Sequence, residues 1–257
     1  TMGALHKGHL KLIDLALASC DYVVCSIFVN PTQFNNSNDF SQYPKTLEAD
    51  IKKLNPFGGA VIVYAPDVES MYPECMDVRT VDYGLLTSSL EGKFRPGHFN
   101  GMVHIVRLLL QQVEPDVAFF GQKDFQQLSI IRHFVRKEMI PISIVSCPIV
   151  RQEDGLALSS RNARLSADER QTALGLSKSL NKLKTLKAEK SLSEVLDQIR
   201  TELNADPKLK LEYIECVDSQ TFESCESWND STEIACCIAA YVGDIRLIDN
   251  LLLSPKS

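Results

Sequence analysis

Three observations predict an α/β protein with a doubly wound, Rossmann-like parallel sheet and a smaller C-terminal α+β domain. Short apolar runs rich in Val and Ile alternate with amphipathic segments as far as Val150. Polar clusters follow those runs, where open parallel sheets hold their ligands. Beyond Val150 two capping-box helices precede three strand-like runs, so the expected domains are 1–149 and 150–257.

Taken in order, Leu10, Ile13, Leu15 and Leu17 recur at helical spacing after His6-Lys7-Gly8-His9 and predict a first helix. Asp21–Asn30 is a nearly continuous apolar run, expected to be a strand buried on both faces. Thr46–Leu54 reads as a helix and Ala60–Tyr64 as a strand closed by Pro66. A polar, irregular stretch extends to Gly101, and Met102–Val113 reads as a helix. Val117–Gly121, Phe125–Met139 and Ile142–Val150 then read as strand, helix and strand. Ser166-x-x-Glu169 and Ser191-x-x-Glu194 are capping boxes that open two helices. Leu211–Val217, Glu233–Val242 and Ile245–Leu252 are strand-like, and Gly243-Asp244 is the turn of a tight hairpin.

Composition bounds the function. The 257 residues suffice for one large or two modest cores. With 27 Lys and Arg against 33 Asp and Glu, the acidic balance argues against nucleic acid as a partner. The eight cysteines show no Cys-x-x-Cys or zinc spacing, and several lie in apolar strand-like runs, as expected of free thiols in a reducing cytosol. No apolar run reaches membrane-spanning length and no signal peptide is evident, so the expectation is a soluble, cytoplasmic protein.

The chemistry concentrates in a few clusters. His6-Lys7-Gly8-His9 opens a helix, where first-turn N–H groups lack intrahelical partners and can face a phosphate. Gly8 lets the backbone approach an anion, and two imidazoles can donate to phosphate oxygens as charge builds. The alternative is that His6 and His9 merely cap or pack the helix. Asn30-Pro31-Thr32-Gln33, Gly121 through Gln127 and Arg151 through Arg161 each follow a strand. Separately each has a plain loop reading; together they describe a crevice with phosphate donors, a cation and amides for small polar substrates. Lys123 suits phosphate as a point cation, and Asp124 could hold a ribose hydroxyl, a magnesium ion or only Lys123. Ser159, Ser160 and Arg161 offer two hydroxyls and a guanidinium fork. Glu91 through Phe99 is either a loop covering the site or a structural connection, and His104 and His133 read as packing residues.

These motifs resemble the pantoate–β-alanine ligase family. Thr1-Met2-Gly3-Ala4-Leu5-His6-Lys7-Gly8-His9, Phe28 through Phe34, Tyr43-Pro44, Glu91 through Gly101, Gly121 through Gln127 and Asp154 through Asn162 occur in that family's order. Arg246 through Asn250 is similar to its C-terminal hairpin. The resemblance implies that ATP and pantoate form pantoyl adenylate and pyrophosphate, and that β-alanine then gives pantothenate and AMP. It implies magnesium with the triphosphate and a cytoplasmic homodimer, with the C-terminal domain closing over the ATP site. By the same resemblance Met2, Gly3, Ala4, Leu5, His6, Lys7, Gly8, His9, Gly121, Gln122, Lys123, Asp124, Val150, Leu158, Ser159, Ser160 and Arg161 bind ATP. His9 would be the proton donor, with His6 and Lys123 catalytic beside it; Gln33 would bind pantoate and β-alanine, and Gln127 pantoate. Gln122, Lys45 and His104 depart from the residues usual in the family. No Ser-His-Asp or Cys-His signature is evident, and neither step needs an enzyme nucleophile. Rival readings are another adenylyltransferase with the same loop, or a nucleotide-binding module without turnover.

The phosphate loop of a doubly wound fold should follow a central parallel strand. The sequence is therefore expected to be an N-terminally shortened record lacking roughly 20–30 residues. In a molecule shortened to match, strands starting at Asp21 and Val117 would flank an empty slot.

Overall fold

The computed structural model describes residues 3–34, 37–72 and 78–254, with the side chains of Ser37 and Asn38 left out of account. It divides into two compact units, one of residues 1–122 and 126–150, the other of residues 123–125 and 151–257. The first unit is α/β with parallel strands, and the second adds an antiparallel sheet with helices.

The first unit opens with α1 (Lys7–Leu17), β1 (Val23–Ser26), α2 (Ser37–Gln42), α3 (Leu47–Leu54) and β2 (Val61–Tyr64). Three short helices follow: α4 (Val68–Met71), α5 (Leu85–Ser88) and α6 (Leu90–Phe94). Then come α7 (His98–Val113), β3 (Val117–Gly121), α8 (Phe125–Lys137) and β4 (Ser143–Cys147). Among the described residues β1 pairs in parallel with β2, and β3 in parallel with β4, as two separate two-stranded sheets. Helix α1 packs on both β1 and β3. Leu5, Ile13, Ile27 and Leu54 form one apolar cluster. A larger one joins α7 to α8 through Met102, Ile105, Ile130, Ile131 and Phe134.

Two expectations need correction here. The apolar run from Asp21 to Asn30 predicts a strand buried on both faces, yet register partners Val24 and Ile62 are 38% and 51% exposed. Successive strand residues point to opposite faces, and this face of the β1–β2 pair is uncovered. The stretch before Gly101 is also more ordered than its composition suggests. It holds α4 to α6, and Glu91, His98 and Phe99 are buried, so this segment is a packed connection.

The second unit contains α9 (Ala167–Leu186), α10 (Leu192–Asn204), β5 (Leu209–Asp218), β6 (Ile234–Val242) and β7 (Ile245–Leu253). Ser166 and Ser191 cap their helices as the sequence predicts, each accepting the N–H of a glutamate that reaches back to the serine. The sheet order is β5-β6-β7, antiparallel throughout. Gly243, at φ 55°, makes the two-residue turn between Val242 and Ile245, a conformation that favours glycine. Leu176, Leu180 and Leu183 of α9, Val195 and Ile199 of α10, and Ile238 and Ala240 of β6 make one continuous core.

The seven cysteines described are free. Cys216 and Cys236 are cross-strand partners with sulfurs 3.1 Å apart, and that hydrogen bond together with burial raises the Cys216 pKa well above the usual thiol range. Burial pushes the Cys225 thiol up to about 11. Raised pKa values keep such thiols protonated and unreactive near neutral pH. Cys75 lies outside the described residues. No described helix is long and apolar enough to cross a membrane.

Candidate functional site

The loop before α1 is held by side-chain bonds to its backbone. Gly3 lies at φ 105°, and a Cβ there would come within 3.2 Å of Ile27 Cγ2. Ala4 is left-handed at φ 50°, a conformation that costs an ordinary residue about 1–2 kcal/mol. Asp50 of α3 holds this segment in place. Its carboxylate is fully buried and accepts the N–H groups of Ala4 and Leu5, both at 2.7 Å. Thr46 Oγ1 donates to the same carboxylate at 3.2 Å, and Lys53 Nζ donates to the Leu5 carbonyl at 2.7 Å.

The two histidines cap their own helix. His6 Nδ1 accepts the Gly8 N–H at 3.1 Å, and His9 Nδ1 accepts the His6 N–H at 3.2 Å. The rings stack 3.9 Å apart. An imidazole nitrogen that accepts an N–H carries no proton, so both neutral rings bear their proton on Nε2. The capping alternative therefore holds, each ring accepting a backbone N–H at its Nδ1. The expectation of open first-turn amides needs revision. The N–H groups of Ala4 and Leu5 are bound to Asp50, and those of His6 and Gly8 to the imidazoles. Those of His9 and Leu10 bond to the His6 carbonyl. Thr1 and Met2 lie outside the described residues.

The Asn30–Gln33 turn is built in the same way. Asn30 is fully buried, and its Nδ2 donates to the Gly101 carbonyl at 3.2 Å. Its Oδ1 accepts from the Thr32 N–H and hydroxyl and from Tyr72 Oη, at 3.3, 3.0 and 2.7 Å. The turn lies so close to α7 that a Cβ on Gly101 would fall 2.2 Å from the Thr32 carbonyl oxygen. His98 Nδ1 donates to the Gln33 carbonyl at 2.7 Å, which fixes the backbone beneath that side chain. Gln33 and Gln127 are half-buried. Gln126, next to Gln127, is structural, binding the Glu91 N–H and the carbonyls of Leu86 and Ser89. Gly121 ends β3 with open space where a Cβ would stand. Gln122 and Val150 are half-buried. His104 stacks on Tyr72, and His133 packs near Tyr83.

In the second unit Lys123 Nζ lies 3.7 Å from Asp124 Oδ1, so Asp124 at least partners its neighbour. The Lys123 carbonyl accepts from Asn250 Nδ2 at 2.8 Å. Asp249, adjacent to Asn250, is buried and takes a two-pronged bond from Arg151, at 2.6 and 2.9 Å. Such forked pairing fixes orientation as well as charge. Arg151 also donates to the Gly155 carbonyl, anchoring the loop before Leu158. Ser159 Oγ accepts the Arg161 N–H and caps the turn from Ser160 to Arg164. Leu158, Ser159, Ser160 and Arg161 are all half-buried.

The sequence does not single out Asp50, His98 or the Arg151–Asp249–Asn250 group as supports of the site. Asp50 carries a readable signal, because it lies four residues before Leu54 and so on that residue's face of α3. The helix turns Asp50 and Leu54 inward and leaves Leu47 and Ile51 exposed.

Parallel strands ending in glycine and amide side chains, beside a histidine-capped helix, define a mixed α/β enzyme. The Pantoate-beta-alanine ligase family matches residues 1–252. The chain is 51% identical over 251 residues to a pantothenate synthetase of Bacteroides fragilis, covering 98% of this chain and 88% of that one. A pantothenate synthetase of Porphyromonas gingivalis is 47% identical, with 98% and 89% covered. The crystal structure of pantothenate synthetase from Thermus thermophilus superposes with a TM-score of 0.92 at 39% identity, covering 97% of this chain and 90% of that one. The Francisella tularensis pantoate–β-alanine ligase, complexed with beta-gamma ATP and β-alanine, gives 0.80 at 37% identity, with 99% and 88% covered. The chain belongs to the pantoate–β-alanine ligase family.

Proposed function

We propose that this chain joins pantoate to β-alanine at the expense of ATP. A pantoate carboxylate oxygen attacks the α-phosphorus, the bond to the bridging oxygen breaks, and pyrophosphate leaves. The amine of β-alanine then attacks the acyl carbon, loses a proton and expels AMP. The observation that carries this reading is the stacked His6–His9 pair opening α1, each ring accepting a backbone N–H at Nδ1, in a chain matched to this family over residues 1–252. Negative charge shifts to the leaving pyrophosphate, and preorganised donors act where such charge develops. His9 is assigned the proton-donor role, with His6 beside it and Lys123 as a point cation.

The ATP residues proposed are Met2 through His9, Gly121 through Asp124, Val150, and Leu158 through Arg161. Gln33 is assigned to pantoate and β-alanine, and Gln127 to pantoate. Amides can both donate and accept, which suits a substrate with hydroxyls and a carboxylate. Among the described residues no three His, Cys, Asp or Glu side chains gather as a metal site. Magnesium would accompany the triphosphate and neutralise its oxygens. A cytoplasmic homodimer is part of the same reading.

The test is pyrophosphate release from ATP that depends on pantoate, and AMP formation that depends on β-alanine. Release indifferent to pantoate would overturn the assignment. In the same assay His9→Ala is expected to slow adenylation by about two to three orders of magnitude while ATP affinity changes far less. A rate within about threefold of the parent would remove His9 from the donor role.

A further inference from the structure

We propose that Asp50 is a positioning residue for adenylation, acting through the loop that carries His6 and His9. Two consecutive backbone N–H groups converging on one point form an anion-binding concavity. Here the anion is the protein's own: the Asp50 carboxylate receives Ala4 and Leu5 at 2.7 Å each, from 46 and 45 residues away in sequence. Lys53, one turn along the same helix, takes the Leu5 carbonyl, so the Leu5 residue is held at both its N–H and its C=O. Thr46, one turn earlier, donates to Asp50 Oδ2 and fixes the carboxylate's rotation.

The consequence reaches the imidazoles through one residue of chain. His6 is the N-cap of α1, and its ring must present Nδ1 to the Gly8 N–H while its own N–H meets His9 Nδ1. That reciprocal box closes only when the backbone enters the helix at one angle, set by left-handed Ala4 and by Leu5. Asp50 holds that angle. Without it Ala4 can return to the ordinary right-handed or extended regions, which alanine prefers. The box then loosens, and each ring can exchange its Nε2–H for an Nδ1–H. The inference rests on the proposed phosphate role of these histidines, and a readout independent of turnover separates the two.

The experiment compares the parent with Asp50→Asn, Asp50→Ala and the milder Thr46→Val, which removes one donor to the carboxylate and leaves the carboxylate itself. Long-range 15N–1H spectra of histidine-labelled protein read the tautomers of His6 and His9 directly, with His6→Gln and His9→Gln giving the assignments. Adenylation is followed as pyrophosphate release. The second step is followed separately, from supplied pantoyl adenylate and β-alanine. Asp50→Ala is expected to shift His6 and His9 from Nε2–H to a mixture and to slow adenylation about 100-fold, as a misplacement of about 1 Å does, with the second step within about threefold. Thr46→Val should move both readouts the same way by a smaller amount and remain folded. Unchanged tautomers in folded Asp50→Asn and Thr46→Val would overturn the proposal, as would equal losses in both steps. Shifted tautomers with no ligase activity in the parent would instead overturn both the proposed reaction and the adenylation role, and leave only Asp50's hold on the two imidazoles standing.

Discussion

The two units are held together by different means. In the second, α9 and α10 lay an apolar face on a three-stranded antiparallel sheet, and one core runs through all five elements. In the first, strands of four or five residues pair only two by two among the described residues, and the loops are fastened by buried polar side chains. Asn30, Asp50, His98 and Gln126 each bind backbone groups 35 to 71 residues away. Apolar packing tolerates small shifts because it has no direction, whereas a hydrogen bond fixes distance and angle. The first unit therefore secures geometry in its loops and helix starts, where His6, His9 and Gln33 lie, and the second secures bulk stability.

That contrast predicts opposite responses to substitution. The largest stability loss should come from the second unit: Ile199→Ala removes a fully buried side chain from α10 and should cost about 2–5 kcal/mol. Thermal unfolding would register it, and the remaining folded molecules should keep their specific activity. A comparable loss of specific activity would break the comparison. Asn30→Ala should cost less, about 1–3 kcal/mol, by stranding the Gly101 carbonyl and the Tyr72 hydroxyl. Its activity, measured against pantoate concentration, should fall by more than the stability change explains. Ser191→Ala, which opens the capping box of α10, should be mildest at about 1 kcal/mol by chemical denaturation. It should leave turnover unaltered.

The same contrast explains what the sequence discloses. Elements of the second unit are legible because their signals are local and long. Both capping boxes lie within four residues, the strands run nine or ten residues, and Gly243 marks the hairpin. In the first unit the strand cores of β1 to β4 and the helices α1, α3, α7 and α8 follow their apolar runs. Helix α7 begins at His98, four residues before the Met102 at which a sequence reading starts it, because His98, Asn100 and Gly101 add no apolar period. Helices α4 to α6 escape a sequence reading because four or five residues are too few to show a helical period. The chemistry-bearing motifs are legible through their residue types, but their supports are not. The spacing from Leu54 places Asp50 on the inner face of α3, but not what it binds there, because the Ala4 and Leu5 N–H groups lie some 45 residues away. Likewise nothing near Gln33 announces that His98 holds its carbonyl.

The pairing of Arg151 with Asp249 also orders events at the ribosome. The two residues are 98 positions apart, and the intervening chain contains α9, α10, β5 and β6. During synthesis Arg151 is made 98 residues before the carboxylate of Asp249, whereas the Gly155 carbonyl that it also binds follows within four residues. Sheet pairing in this unit joins sequence neighbours, β5 with β6 and β6 with β7, so it can proceed as each strand emerges. The Arg151 fork cannot engage Asp249 until β7 has been translated, and the loop from Gly155 to Leu158 gains its final anchor only then.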